Sequence, residues 1–122
     1  MNISPDDLLR LRHMRDFARE VIQFTRGAQQ ADLQTNRMLL RAVCMDIGTI
    51  GEAASQVSQE FRDQHPEIPW RDIIATRNFL YHVYWMIRDD ILWQTAIANV
   101  PDLLAALEAI LPPEGETNAS TD

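Results

Sequence analysis

Apolar residues return every three or four positions through most of this sequence, and no alternating run suggests a strand. Met14, Phe17, Val21 and Phe24 fall on the buried side of a helix predicted over residues 5–25, with Ser4 as N-cap, Pro5 in the first turn and Gly27 beyond its end. After the polar stretch 28–32 a second, long helix is expected to run to about Gln64. Its apolar positions Leu40, Val43, Ile47, Ile50, Ala54, Val57 and Phe61 alternate three- and four-residue steps, a heptad-like seam. Beside that seam lies a stripe of small residues: Cys44, Gly48, Gly51, Ser55 and Ser58. Each glycine costs about 1 kcal/mol relative to alanine inside a helix, which implies a local bend or, as the preferred reading, another backbone passing close by.

His65, Pro66 and Pro69 end the second helix, and Pro69 suits the opening turn of a third. A break near residues 88–90 precedes a fourth helix, with Asp89 or Asp90 as N-cap. Pro101 is expected to open a fifth, along which Leu103, Leu104, Leu107, Ile110 and Leu111 form an apolar face before Pro112 and Pro113 stop it. The expected architecture is one all-α domain over residues 1–111, a bundle of four to five helices, with residues 112–122 as a disordered acidic tail.

The third helix departs from simple amphipathicity. Trp70, Ile73, Arg77 and Tyr84 share one face, so an arginine occupies a position where the period asks for a core residue. His82 follows five residues later and the phenol of Tyr84 two further on, placing a cation, a proton shuttle and a hydroxyl within eight residues. Each also has a plain structural reading. Arg77 suits an ion pair inside the bundle, with Glu52 on the small-residue helix as partner. His82 taken alone suits a packed, hydrogen-bonded histidine, and Tyr81, Tyr84 and Trp85 suit core or interface aromatics, with base stacking as the alternative. Asn78, four residues before His82, is placed to orient its ring or to cap a bend. Residues five apart are about 140° apart around a straight helix, so Arg77 and His82 of one copy cannot both point directly into one narrow cleft unless the helix bends or long side chains wrap round it. A two-fold dimer would bring a second set of groups to the same groove.

Charge narrows the function classes. The net charge of −7 argues against a general nucleic-acid coat protein, so any RNA contact must be local. All eleven basic residues are arginines, and Arg12, Arg15, Arg19 and Arg26 form a stripe on the first helix. Asp16 and Glu20 lie on nearby turns, and a solvated, partly paired face is expected there rather than a phosphate track. A single cysteine, Cys44, gives neither a disulfide framework nor a zinc cluster, and His13 and His65 stand in no ligand spacing, so no metal or cofactor is expected. Without a signal-peptide core or a run of roughly 20 apolar residues, the sequence reads as a cytoplasmic protein with no membrane association. Asn118-Ala119-Ser120 fits a glycosylation acceptor and is read as accidental.

The words around Arg77 also carry a resemblance. IPWRDIIATRNFLYHVYW, residues 68–85, resembles the signature of HepT-like toxins of the HEPN superfamily, in which Arg-x4-His-x-Tyr follows an Ile-Pro-Trp-Arg lead-in. Arg77, His82 and Tyr84 match it, Asn78 holds the polar position after the arginine, and Ile50 to Ala54 is similar to the family's second-helix pattern. Val83 stands where the family often has glycine, a change in backbone freedom that removes no reactive group. The resemblance implies a dimeric helical bundle with the site at its interface. It implies a metal-independent endoribonuclease, acting on an RNA such as tRNA or mRNA, with Arg77 and His82 catalytic. It further implies a type VII toxin–antitoxin pair, in which an MntA-like minimal nucleotidyltransferase antitoxin silences the toxin by transferring AMP to the motif tyrosine, Tyr84. The competing reading is a catalytically silent helical module that holds such a partner or a nucleotide, with Arg77 as an anion clamp.

Overall fold

The computed structural model describes residues 3–83 and 88–113, excepting the side chains of Phe79, Tyr81, His82 and Val83. Every regular element among them is helical: α1 (Pro5–Thr25), α2 (Asp32–Thr35), α3 (Arg37–Gln56), α4 (Gln59–Gln64), α5 (Trp70–Val83), α6 (Asp89–Gln94) and α7 (Val100–Ile110), with a π-helical turn over Thr95–Asn99 joining the last two.

The first helix begins and ends where its sequence says. Ser4 Oγ accepts from Asp7 N at 3.1 Å, Pro5 occupies the first turn, and Gly27 follows the end of the helix at φ 78°, a left-handed conformation that a β-carbon would strain. Leu8, Leu11, Met14, Ala18 and Val21 enter the core, while Phe17 is only partly covered. Phe24 is exposed, against the expectation that it continues the buried side, because it lies in the final turn of the helix.

The long second helix proves to be three pieces. Asn36 Oδ1 accepts from Leu39 N at 3.1 Å and starts α3 afresh after the short α2. Farther on, Val57 turns extended and Ser58 caps α4, its Oγ accepting from Phe61 N at 3.1 Å. The second break is fixed from outside the segment: buried Asp7 of α1 accepts from Ser58 N at 2.8 Å and from Ser58 Oγ at 2.6 Å. The apolar period nevertheless runs through it, and Val43, Ile47, Ile50, Ala54, Val57 and Phe61 are all buried. Continuity of a seam is not continuity of a helix.

The opposite correction applies at the other end. No break separates the expected fourth and fifth helices: α6, the π turn and α7 form one continuous helical rod. Pro101 has no N–H and its ring crowds the carbonyl four residues back, and the widened turn just before it accommodates both. The N-cap of α6 is Arg88, so Asp89 and Asp90 sit one step later, in the first turn where carboxylates complement the helix dipole. The rod ends at Ile110 ahead of Pro112 and Pro113, and residues 114–122 of the expected tail lie outside the described residues.

Helix α3 is central, packing most extensively on α1 and then on α5, while α7 closes over α1. The loop into α5 is pinned by Trp70, whose Nε1–H donates to the His65 carbonyl at 2.9 Å and whose ring meets Phe61 edge-on. Burial pushes the Cys44 thiol up to about 11, opposed more weakly by Arg41, so it packs as a protonated small residue.

Candidate active site

The small-residue stripe of α3 is where α5 comes closest. A β-carbon built on Gly51 would lie 2.5 Å from Arg77 Cβ and 2.8 Å from the Ile73 carbonyl oxygen. Only glycine leaves room for α5 at that distance, which bears out close packing as the reason for the stripe at this position. The approach lays the Arg77 side chain along α3, over the residues one and four positions beyond Gly51.

Those residues are Glu52 and Ser55, and they receive the guanidinium. Arg77 Nη1 donates to Glu52 Oε1 at 2.6 Å and to Ser55 Oγ at 3.4 Å. On the other edge, Nε and Nη2 donate to Asn78 Oδ1 at 3.0 and 2.7 Å. The Arg77 side chain keeps 24% of its surface exposed and Glu52 keeps 46%, so the pair sits at the rim of the bundle and not inside it. The hydrogen bond from Arg77 holds the Glu52 carboxyl below its ordinary range, and Gln56 and the positive field of Arg10 act the same way against partial desolvation. Glu52 is therefore a fixed anion that orients a fixed cation, whose side chain stays partly exposed.

The sequence expectation of an Arg77–Glu52 pair is met. Asn78 has a contact that was not expected of it: its amide oxygen accepts from Arg77, which leaves its NH2 to offer a neighbour one turn on. His82 lies in α5 one turn after Asn78, and its side chain is outside the described set. Tyr84 and Trp85 lie outside the described residues altogether, as does the side chain of Tyr81.

Two features escaped the sequence reading. Asp46 of α3 is 5% exposed, with Oδ2 buried away from any hydrogen-bond donor. Burial, then a hydrogen bond and charge repulsion from Glu20 of α1, raise its carboxyl to about 7. Its spacing from Val43 and Ile50 was the available signal, since steps of three and four place it on their face. The arginine stripe of α1, moreover, is not simply solvated. Arg15 bonds Asp16 at 2.9 Å with its side chain largely covered, Arg19 reaches Glu108 of α7 at 3.0 Å, and Arg12 Nη2 is buried. Packing against α7 turns that face into part of the bundle. Among the described residues no three histidine, cysteine or carboxylate side chains converge as metal ligands, and no helix is long and apolar enough to cross a membrane.

Comparison with known proteins gives the arrangement a context. The model of the family described as "Ribonuclease HepT-like" matches residues 14–110. Similar curated proteins include "Putative RNase MJ1380" of Methanocaldococcus jannaschii, 31% identical over 76% of this chain and 85% of its own length. Another is "Putative RNase TTE0752" of Caldanaerobacter subterraneus subsp. tengcongensis, 30% identical over 85% of this chain and 93% of its own. A third is "Probable ribonuclease HepT" of Thermococcus cleftensis, 32% identical over 72% and 80% respectively. No solved structure matches.

Proposed function

We infer, since this chain belongs to the HepT-like ribonuclease family, that it is a ribonuclease and the toxin of a toxin–antitoxin pair, cleaving RNA around Arg77 and His82. The observation that carries this reading is the clamped guanidinium: Glu52, Ser55 and Asn78 hold Arg77 at the rim of the bundle on the helix that also bears His82. A structural ion pair needs no such orientation toward solvent.

In the proposed reaction the ribose 2′-oxygen attacks the adjacent phosphorus and the bond to the 5′-oxygen breaks. His82 takes the 2′-hydroxyl proton or supplies one to the leaving oxygen, and the partly exposed guanidinium of Arg77 stabilises the charge gathering on the phosphorane. The products are a 2′,3′-cyclic phosphate and a 5′-hydroxyl, with no metal required. Arg77 and His82 are about 140° apart around α5, so a groove shared by two copies is part of the proposal. The exposed apolar surface favours that dimer: Met38 is 83% exposed and Met45 61%, and seven-residue spacing sets both on the α3 stripe that ends at Glu52. A minimal nucleotidyltransferase partner would silence the site by transferring AMP to Tyr84, adding negative charge where RNA phosphate must bind.

A second reading has one observation of its own. Glu52 already neutralises Arg77, in a chain of net charge −7, which weakens the attraction for RNA phosphate and suits a catalytically silent module that holds a partner protein. Incubating the purified protein with labelled RNA in EDTA separates the two. Cleavage that survives chelation and disappears in both Arg77→Ala and His82→Ala supports the ribonuclease; intact RNA with wild-type protein favours the module.

A further inference from the structure

Helix α5 packs on α3 and the α6–α7 rod on α1, and a groove of about 430 Å3 lies between α5 and the rod. Ile47 and Ile50 of α3, Ile73 of α5 and Leu103 of α7 form its floor. Its rim carries Glu67, Asp72 and Asp102, and among the described residues no arginine or histidine lines it. All three carboxylate residues are exposed, and Glu67 is also 3.0 Å from His65 Nδ1. Asp72 and Thr76 project from the flank of α5 opposite to Asn78, about 140° and 100° from Arg77 in the other sense, so the groove is separate from the candidate active site.

The charge pattern decides what the groove can take. An RNA phosphate would meet carboxylates on both sides, and a second copy seated here would have to bring a basic segment, whereas the dimer proposed above uses the Met38–Met45 face of α3. Residues 114–122 of this chain carry Glu114, Glu116 and Asp122 and no base, so they are equally unsuited. A small-molecule site normally offers a few polar groups converging inside an apolar cavity, whereas here the floor is aliphatic and the carboxylates stand on the rim, Asp72 on α5, Asp102 on α7 and Glu67 in the loop before α5. From Pro69 to Thr76 the α5 wall runs about 10 Å, two turns of a docked helix. We propose that this groove docks a basic amphipathic segment of a partner protein, its apolar side chains at three- and four-residue steps covering Ile47, Ile50 and Leu103, and its lysines or arginines meeting Asp72, Asp102 and Glu67. The docking is independent of the ribonuclease reading.

Fluorescence anisotropy tests it directly, with the full chain and a short labelled amphipathic helix of leucine and lysine, beside its leucine–glutamate counterpart. The lysine peptide binds saturably and the glutamate peptide does not. Ala106→Trp fills the groove without changing net charge and weakens binding at least about tenfold, as does Asp72→Lys with Asp102→Lys; Glu60→Lys with Asp63→Lys, the same charge change away from the groove, does not. If Ala106→Trp does not fold, Asn99→Trp on the rim serves instead. Absent binding, binding indifferent to the tryptophan, or competition by RNA overturns the proposal. A change in the sedimentation of the unliganded chain on filling the groove also overturns it, since a second copy would then be the occupant.

Discussion

The Cα of Arg77 lies 3.3 Å from where Gly51 would carry a β-carbon, and its Cβ lies nearer still, at 2.5 Å. Alanine in place of glycine ordinarily gains about 1 kcal/mol inside a helix. Here the clash is with backbone and a β-carbon, neither of which can swing away, and overpacking of this kind costs about 1–3 kcal/mol. Gly51→Ala is therefore expected to lower thermal stability and to move Arg77 off Glu52. Calorimetry, with activity measured well below the melting temperature, checks both. A more stable Gly51→Ala protein would contradict the close approach.

Glu52 is half exposed, so its value lies in orientation more than in stability. Glu52→Gln keeps shape but removes the anion, and we expect kcat on RNA to fall on the order of tenfold with KM not raised, since no RNA contact is lost. The Arg77 bond depresses the Glu52 carboxyl. The contribution of its charge is thus complete above the unfolded value and is lost only as pH falls through the lower folded one. Activity that declines between pH 7 and 6 should consequently decline alike in wild type and Glu52→Gln. Loss of that limb in the variant would reassign it to Glu52.

How far the sequence could be read depended on whether the cause of each feature was local. Ser4, Pro5 and Gly27 bound α1 by themselves, and the Arg77–Glu52 pair follows from helical period and the small stripe. The break at Ser58 does not, because it is stabilised by Asp7, 51 residues earlier, under an apolar seam that never falters. Pro101 does stand in the first turn of α7, but the sequence did not show that a π turn joins that helix without a break to α6. The Asp46–Glu20 contact is likewise set by the packing of α1 on α3. For the site, the sequence sets Arg77, Asn78 and His82 on one helix, whereas the contact of Asn78 with Arg77 required coordinates.

Asp46 gives a pH dependence of opposite sign to Glu52. Its folded value, about 7, lies above the ordinary 3.8, so the folded state binds a proton more tightly than the unfolded chain. The stabilisation is present below the unfolded value and is lost as pH rises through about 7. Asp46→Asn should flatten the fall in stability between pH 5 and 8 and exceed wild type at pH 8 by on the order of 1 kcal/mol. Urea titrations at the two pH values measure it, and an unchanged slope would remove Asp46 as the cause.

The last prediction concerns Tyr84 and rests on the proposed regulation. Tyr84 follows Arg77 by seven residues, a spacing of almost two turns that returns to the same face wherever the helix continues. A phosphate attached to its phenol would then be within reach of the partly exposed Arg77 guanidinium, in competition with RNA. Incubation with a cognate minimal nucleotidyltransferase and ATP should add mass in AMP units at this residue and abolish RNA cleavage. Tyr84→Phe should keep most of the cleavage, because the phenol has no part in the proposed proton transfers, and should escape silencing. Intact-mass and peptide spectra locate the adduct. Modification at another residue, or a Tyr84→Phe protein still silenced by AMP transfer, would place the control elsewhere.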